Sequence, residues 1–432
     1  MKIFQTDQPF FQKPILKSRP IERILLICFV LVHLVIVFSV VRSANPLIWP
    51  LHNDTIHRSG RASDFYAIYH AAVNLEAGIS PYEINDDGIT PYYYQFRYFP
   101  VVAEAGRIFT LTTPYRAYVL WVLFLEGLLA LLLYYFWTRM DRAVYRMITV
   151  GLLLINSPYF LELYMGQFTF ATIALCFLSL VLPAGFLFYS ASVILKPITL
   201  AAIPALIRKK STLITALVAG VIVILTNLPM FLANPETWQT FYSLNFASTG
   251  GGLHSGNYGL VYLLWQLAND LSLTSLLAHW EAAIGALRLL VLALVALLVV
   301  LSKATNRAGV SALLLAHFVT YQHVWEHHYS AVCIIAAVMM TIPAMRKQYG
   351  QILLCMLVLA LPTPFGLFDI AKDPAVFDPT LTWPRIQVYL VILPKALPAL
   401  YLFILAIRRV LQAGLVTPMQ VFKNLQSDSL EN

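Results

Sequence analysis

The chain has 432 residues, 59% of them hydrophobic and 12% charged, with a formal net charge of +8. An ordinary soluble domain is about 25% charged, so a water-soluble globule is excluded: too few polar residues exist to cover its surface. The positive balance does not indicate nucleic acid, because the basic residues fall in twos and threes between apolar runs, as the loop charges of a membrane protein do.

Lys2, Lys13, Lys17, Arg19 and Arg23 precede the first apolar run, Ile24 to Val41, which is interrupted only by His33 and Ser39. A run of about 20 residues matches a hydrocarbon core of ~30 Å. The basic flank places the amino terminus in the cytoplasm. The run has full spanning length and no small-residue cleavage site follows it, so it reads as a span and not as a signal peptide. A long, more polar segment then extends outside from Ser43 to Tyr115. Its amphipathic pieces, Asp64 to Ala77 and Val101 to Leu111, are expected to lie in the membrane interface.

Further spans are expected at Tyr118 to Trp137, Met147 to Leu161 and Phe168 to Leu182. Gly185 to Ile207 is ambiguous. Taken as two short spans broken near Lys196 and Pro197, it keeps Arg208, Lys209 and Lys210 inside. The rest follow at Leu213 to Phe231, Ala283 to Leu301, Val310 to Val324, Ala331 to Ala344, Ile352 to Pro364 and Val388 to Ile407. The fold class is an all-α polytopic membrane bundle of about 12 spans with both termini cytoplasmic. One transmembrane domain is expected over residues 1–410, with a cytoplasmic tail over 411–432. The loop from Leu232 to Trp280 has no Lys or Arg, which supports the sidedness. No internal repeat is visible. Cys28, Cys176, Cys333 and Cys355 all lie in apolar segments and read as small buried hydrophobes.

The unusual polar residues fall on the external side. One set is Arg61, Asp64, Tyr66, Tyr69 and His70, with Tyr82 and then Tyr92, Tyr93, Tyr94, Arg97 and Tyr98. Another is Thr249 to Gly252 with His254, Ser255 and Asn257. A third is His323, Trp325, Glu326, His327 and His328. Asp64 opens a helix with Ser63 as a fair N-cap, and a carboxylate in a first turn is explained by the helix dipole alone. The same carboxylate, beside a cavity at the lipid boundary, is also suited to act as a general base. His323 and His327 have the i, i+4 spacing of a metal pair but no third ligand. The cluster also fits sugar or phosphate binding, or plain interfacial anchoring by Trp325 and Tyr329. Lys196 is a cation inside an apolar run and suits either snorkelling or an anionic headgroup; Arg288 and Lys395 are weaker cases. Gly166-Gln167 sits at an outer turn, which explains the glycine but not the glutamine.

Several pieces together resemble family 87 glycosyltransferases, membrane enzymes of the GT-C class that include polyprenyl-phosphate-mannose-dependent mannosyltransferases. Asp64 to Tyr82, with D-F-Y-A-I-Y-H-A-A and G-I-S-P-Y, is similar to the family's first external segment. F-R-Y-F-P (Phe96 to Pro100) resembles its aromatic-Tyr-Pro-Pro element, with Phe99 where a proline is usual. G-Q-F-T (Gly166 to Thr169) resembles G-Q-x-N, with Thr169 for asparagine. L-K-P (Leu195 to Pro197) matches the broken-helix lysine. W-E-H-H-Y (Trp325 to Tyr329) resembles W-[DE]-H-H-Y, although Tyr321 and Gln322 stand where Ser-Pro is common.

The resemblance implies a GT-C fold and transfer of a hexose, mannose first, from a polyprenyl monophosphate to a glycolipid or polysaccharide hydroxyl on the extracytoplasmic side. It implies Asp64 as the base. Lys196, His323, Trp325, His327, His328, Gln167, Arg61 and Arg97 would hold the donor, and Tyr69, Tyr82, Tyr98 and Asn257 would line the acceptor side. No cofactor or metal is expected, and the setting would be a bacterial inner membrane. A flippase of lipid-linked saccharide, or a polysaccharide polymerase or ligase, is the alternative.

Overall fold

The computed structural model describes residues 20–43, 47, 60–83, 88–91, 94–247, 257–363, 385–417 and 419–421. Among these, regular structure is helical, with two isolated bridges. In chain order the helices are α1 (Pro20–Arg42), α2 (Ser63–Glu76), α3 (Pro100–Thr110), α4 (Pro114–Arg139), α5 (Ala143–Leu154), α6 (Ser157–Met165), α7 (Thr169–Leu178), α8 (Gly185–Leu195), α9 (Ile203–Leu206), α10 (Lys210–Ala233), α11 (Pro235–Tyr242), α12 (Leu260–Asp270), α13 (Thr274–Ala278), α14 (Trp280–Val300), α15 (Asn306–Thr320), α16 (His328–Met340), α17 (Tyr349–Ala360) and α18 (Arg385–Gln412).

By length and composition, six helical stretches can cross a membrane, or seven if α16 and the chain from Pro343 to Ala360, bent by 114°, form one broken span. About 12 were expected. Half of the difference lies in the middle of the chain, where α7, α8 and the stretch Pro197–Leu206 are apolar but short; the rest lies at α15, of 15 residues, and at α16 and α17, which form at most one broken span. Ten residues rise only about 15 Å, half of a hydrocarbon core. α7 is buried throughout, whereas α8 and Pro197–Leu206 are only partly buried, with Leu187 and Leu200 exposed. The expected break at Lys196 is present: α8 stops at Leu195, Lys196 is extended, and a 3-10 turn begins at Pro197. Proline has no N–H to continue the ladder and pushes the residue before it out of helical geometry.

A second break ties the first span into the bundle. α5 ends at Leu154, and its carbonyl has Pro158 four residues on, which cannot donate to it. His33 on α1 reaches that carbonyl at 2.7 Å through Nδ1, and its Nε2 lies 2.8 Å from the Glu126 carboxylate. Tyr159 donates to the same carboxylate at 3.0 Å. Polar groups at membrane depth need partners within the protein, and here they also hold α1 against α4 and α6.

Helix α2 departs from expectation. It is enclosed by the protein and does not present an amphipathic face to its surroundings, because Ser63 to Ala72 and Asn74 are all buried. Its polar positions bond inward: the Tyr69 hydroxyl donates to the Thr112 carbonyl at 2.9 Å. Phe65 packs edge-on to Phe109 at 5.0 Å and stacks near Trp121 at 6.1 Å. A fully buried phenylalanine stabilises by about 1.5–3 kcal/mol. Ser63 is not the N-cap. Ala62 holds that position in a left-handed conformation, its N–H bonded to the Tyr164 carbonyl at 2.7 Å, and Ser63 is already helical. Asp64 remains in the first turn.

The basic loops meet at one end of the bundle. Arg307 donates to the Tyr135 hydroxyl at 2.8 Å and to Thr341 at 3.0 Å, and Arg346 pairs with Asp141. Arg208 donates to the Ser302 carbonyl at 2.7 Å, and Lys303 N–H bonds to Gly414 at 2.9 Å. The expected domain limit at residue 410 therefore falls inside α18, and the chain stays paired through Val416, whose N–H bonds to Leu301 at 2.7 Å. The helices that start or stop at the opposite end bring Asp64, Gln167, Lys196 and His328 there.

Candidate active site

Four chain breaks converge at that end: the start of α2, the α6–α7 turn, the extended residue after α8, and the turn before α16. Gly166 makes the first meeting possible. It ends α6 with φ of 68°, and a Cβ there would stand 2.6 Å from the Phe65 Cβ. A glycine permits both the left-handed backbone and the close approach of α2. Gly166→Ala is expected to lower the melting temperature, by the equivalent of about 1–3 kcal/mol, and to lower activity with it. Gly78→Ala is the comparison: φ is 75° there, but nothing lies within 4 Å of the added Cβ. Its effect is expected to be smaller, and equal losses in the two variants would contradict the packing role.

That approach brings Asp64 to Gln167. Gln167 lies close enough to the Asp64 carboxylate to favour its charged form, and its carbonyl accepts from Lys196 Nζ at 3.0 Å. Lys196 also donates to Thr169 Oγ1 at 2.7 Å. One glutamine thus stands beside both the carboxylate and the ammonium, which explains why this turn carries Gln and not merely a polar residue. Burial raises the Asp64 carboxyl from 3.8 to about 6, against the opposing influence of Lys196, Gln167 and Arg97. Desolvation wins because only 7% of the residue is exposed. A carboxylate held there is ionised at neutral pH and still basic enough to take a proton.

Sequence reasoning missed Glu162. This fully buried carboxylate accepts from Phe170 N–H at 2.6 Å and from Ser330 Oγ at 3.3 Å, and it lies in the field of Lys196. Lys196 therefore sits between two acids. The available signal was a carboxylate just past the end of an apolar run at Leu161.

The histidine pair closes the site. Trp325 N–H donates to His328 Nδ1 at 2.9 Å, which puts the proton of the neutral ring on Nε2. The His327 and His328 rings lie 4.2 Å apart. Both His327 ring nitrogens are buried without a hydrogen-bond partner, and the ring lies in the field of Lys196. An orphaned buried polar group costs about 1–3 kcal/mol, so these nitrogens are suited to a substrate oxygen. The metal-pair reading of His323 and His327 does not match the backbone. Residues 321–327 are irregular and α16 begins at His328, so the i, i+4 spacing does not place the two rings on one helical face. His323 instead lies 6.1 Å from Tyr321, ring to ring.

Arg97 and Tyr98 join Asp64: both lie in its electrostatic reach, and the Tyr98 ring packs edge-on to Phe168 at 4.8 Å. Other expected residues support the site without reaching Asp64. Arg61 donates to the Val41 and Ser43 carbonyls at 2.8 and 3.2 Å, capping the end of α1. Tyr69 is tied to Thr112, as above. The Tyr82 hydroxyl donates to the Tyr98 carbonyl at 2.7 Å. Asn257 fastens the turn below Trp325: its carbonyl oxygen accepts from Gly259 and Val324 at 3.0 and 3.2 Å, and its amide donates to Gln322. Tyr92, Tyr93, Thr249 to Gly252, His254 and Ser255 lie outside the described residues.

Glu326, though beside the histidines, faces away. It accepts from Thr363 at 2.9 and 2.8 Å and pairs with Lys395 at 3.7 Å. Removing one partner of a buried pair costs about 3–5 kcal/mol. Glu326→Ala is therefore expected to lower the melting temperature while the surviving folded enzyme keeps its donor KM. A raised KM without loss of stability would contradict that structural role.

The family model for glycosyltransferase family 87 matches residues 96–321, just over half of the chain. The chain belongs to glycosyltransferase family 87. Its activity class is accordingly glycosyl transfer, and its apolar helices make this family 87 protein a multi-pass membrane glycosyltransferase. No curated protein and no solved structure matches it. The matched region includes Arg97, Tyr98, Gln167, Lys196 and Asn257, whereas Asp64 precedes it and His327 and His328 follow it. The proximity of Gln167 to Asp64 and of Lys196 to His327 joins the three stretches in space.

Proposed function

We propose that this glycosyltransferase moves a hexose, mannose in the first instance, from a polyprenyl monophosphate to an acceptor hydroxyl of a glycolipid or polysaccharide, with inversion, on the extracytoplasmic face of a bacterial inner membrane. Asp64 takes the hydroxyl proton. The freed oxygen forms a bond to the anomeric carbon as the bond from that carbon to the phosphate oxygen breaks. The electron pair leaves with the lipid phosphate. Positive charge builds on the sugar and negative charge on the phosphate, where Lys196, Arg97 and the Nε2–H of His328 supply fixed stabilisation. The orphaned His327 nitrogens suit a sugar hydroxyl or phosphate oxygen. A monophosphate leaving group demands less charge neutralisation than a nucleotide diphosphate.

The observation that carries this reading is the gathering around Gln167: a desolvated carboxylate beside it and a lysine 3.0 Å from its carbonyl oxygen, with an unsatisfied histidine in the field of that lysine. The gathering of basic loops at the far end supports an extracytoplasmic site by the positive-inside rule. The GT-C architecture is part of the same proposal.

The test supplies purified protein in liposomes with polyprenyl phosphate carrying radiolabelled mannose and a membrane glycolipid extract as acceptor. A new glycosidic bond with anomeric configuration opposite to the donor is expected. Label transferred only from nucleotide sugars, or lipid-linked sugar moved between leaflets with no new bond, would overturn the proposal.

A further inference from the structure

Arg288 stands in the membrane span α14, eight residues in from Trp280, or about 12 Å along the helix. The surrounding helix surface is made for lipid: Leu287, Leu289, Leu290 and Leu294 are exposed by 43 to 71%. A cation at such a place is costly unless it has a partner. Three other buried cations of this protein lie near carboxylates, whereas Arg208 is held by the Ser302 and Ala304 carbonyls. Arg146 pairs with Glu22 at 2.9 Å, Lys395 with Glu326 at 3.7 Å, and Lys196 lies between Glu162 and Asp64. Among the described residues no carboxylate pairs with Arg288. Its guanidinium carbon lies 5.1 Å over the Tyr321 ring, and Nη2 is 3.3 Å from His317 Nδ1.

These contacts orient the guanidinium and leave its charge uncompensated. A guanidinium has five N–H donors in a fixed fork, and one is used on His317. Tyr321 lies in the field of Arg97 as well as Arg288, and its ring is 6.3 Å from His328. A path of cationic and aromatic groups therefore runs from the lipid-facing wall at Arg288 to the candidate active site.

We infer that Arg288, oriented by Tyr321 and His317, is a phosphate-binding point in the membrane wall of the protein, where the phosphate of a polyprenyl lipid is held while its chain lies along α14. The inference rests on the proposed sugar-transfer reading for the identity of the lipid. A guanidinium reads two phosphate oxygens at once, which an ammonium does not.

The test measures binding of sugar-free polyprenyl phosphate to the full chain in nanodiscs, together with the donor KM in liposomes. Arg288→Gln is expected to weaken polyprenyl phosphate binding by about 10-fold or more and to raise the donor KM, as loss of a charged hydrogen bond does. Arg288→Lys, which keeps the charge, is expected to fall between the two. Arg116→Gln, at an exposed arginine, is expected to bind as the wild type does. Unchanged binding in Arg288→Gln, or in Arg288→Lys should the first variant not fold, together with normal sugar transfer by the wild type, overturns this inference alone. Displacement of polyprenyl phosphate by equimolar anionic diacyl phospholipid overturns it too, since Arg288 would then be a general lipid contact. Wild-type protein that binds the lipid through Arg288 yet transfers no sugar upholds the binding point and overturns the proposed reaction.

Discussion

Asp64→Asn is expected to lower the transfer rate by about a thousandfold, within the range of 10²–10⁴ that a general base contributes, while leaving the folded protein at least as stable at pH 7. The two expectations have one cause. Holding the carboxyl at about 6 instead of 3.8 costs the folded state roughly 3 kcal/mol at pH 7, at about 1.4 kcal/mol per pH unit. A carboxyl raised in this way favours the fold only when protonated. Its contribution is full below pH 3.8 and is lost as pH rises through about 6. Asparagine is neutral throughout, so the variant escapes that loss and keeps a hydrogen-bonding group for Gln167. Melting temperature and transfer rate measured on one preparation decide the matter. A variant that loses activity together with stability would make Asp64 a structural residue, and a fully active one would remove it from the chemistry.

Lys196→Met is expected to have the largest combined effect. The ammonium donates to Gln167 at 3.0 Å and to Thr169 at 2.7 Å, and it lies in the fields of Glu162 and Asp64. Its loss leaves buried acids without their cation, at about 3–5 kcal/mol. It also removes a fixed charge from the leaving phosphate, worth about 10²–10³ in rate where such groups have been deleted. Because Lys196 pulls the Asp64 carboxyl downward, its removal lets burial act further, and residual activity should appear only at higher pH than in the wild type. Lys196→Arg should retain part of both stability and rate. Fluorescence melting with initial rates at several pH values separates the contributions; an unchanged pH onset in Lys196→Met would contradict the coupling.

What the sequence displayed and what it hid divide along physical lines. Breaks are local, so they were legible: Pro197 forces Lys196 out of the helix, and Gly166 marks a turn. Asp64 in a first helical turn was legible for the same reason. Burial is not local. The tyrosines and histidine of α2 read as a water-facing side, yet the helix is enclosed because Tyr69 bonds Thr112 and Phe65 fills the space under Trp121. Glu162 resembles the end of a span until the fold brings Phe170 and Ser330 to it. Arg61 is three residues from Asp64 in the chain, yet it serves the end of α1. The span count differs where apolar helices are short, since composition alone does not distinguish lipid from protein as the apolar neighbour.

A carboxylate desolvated by its fold and lying in the field of a lysine is the centre of the account. The pH dependence of kcat/KM reports the ionisation of that group in the free enzyme. The rate should climb tenfold per unit at low pH and level off above about 6. A profile that levels near pH 4, where an ordinary carboxylate titrates, or one that stays flat through the acid range, contradicts it.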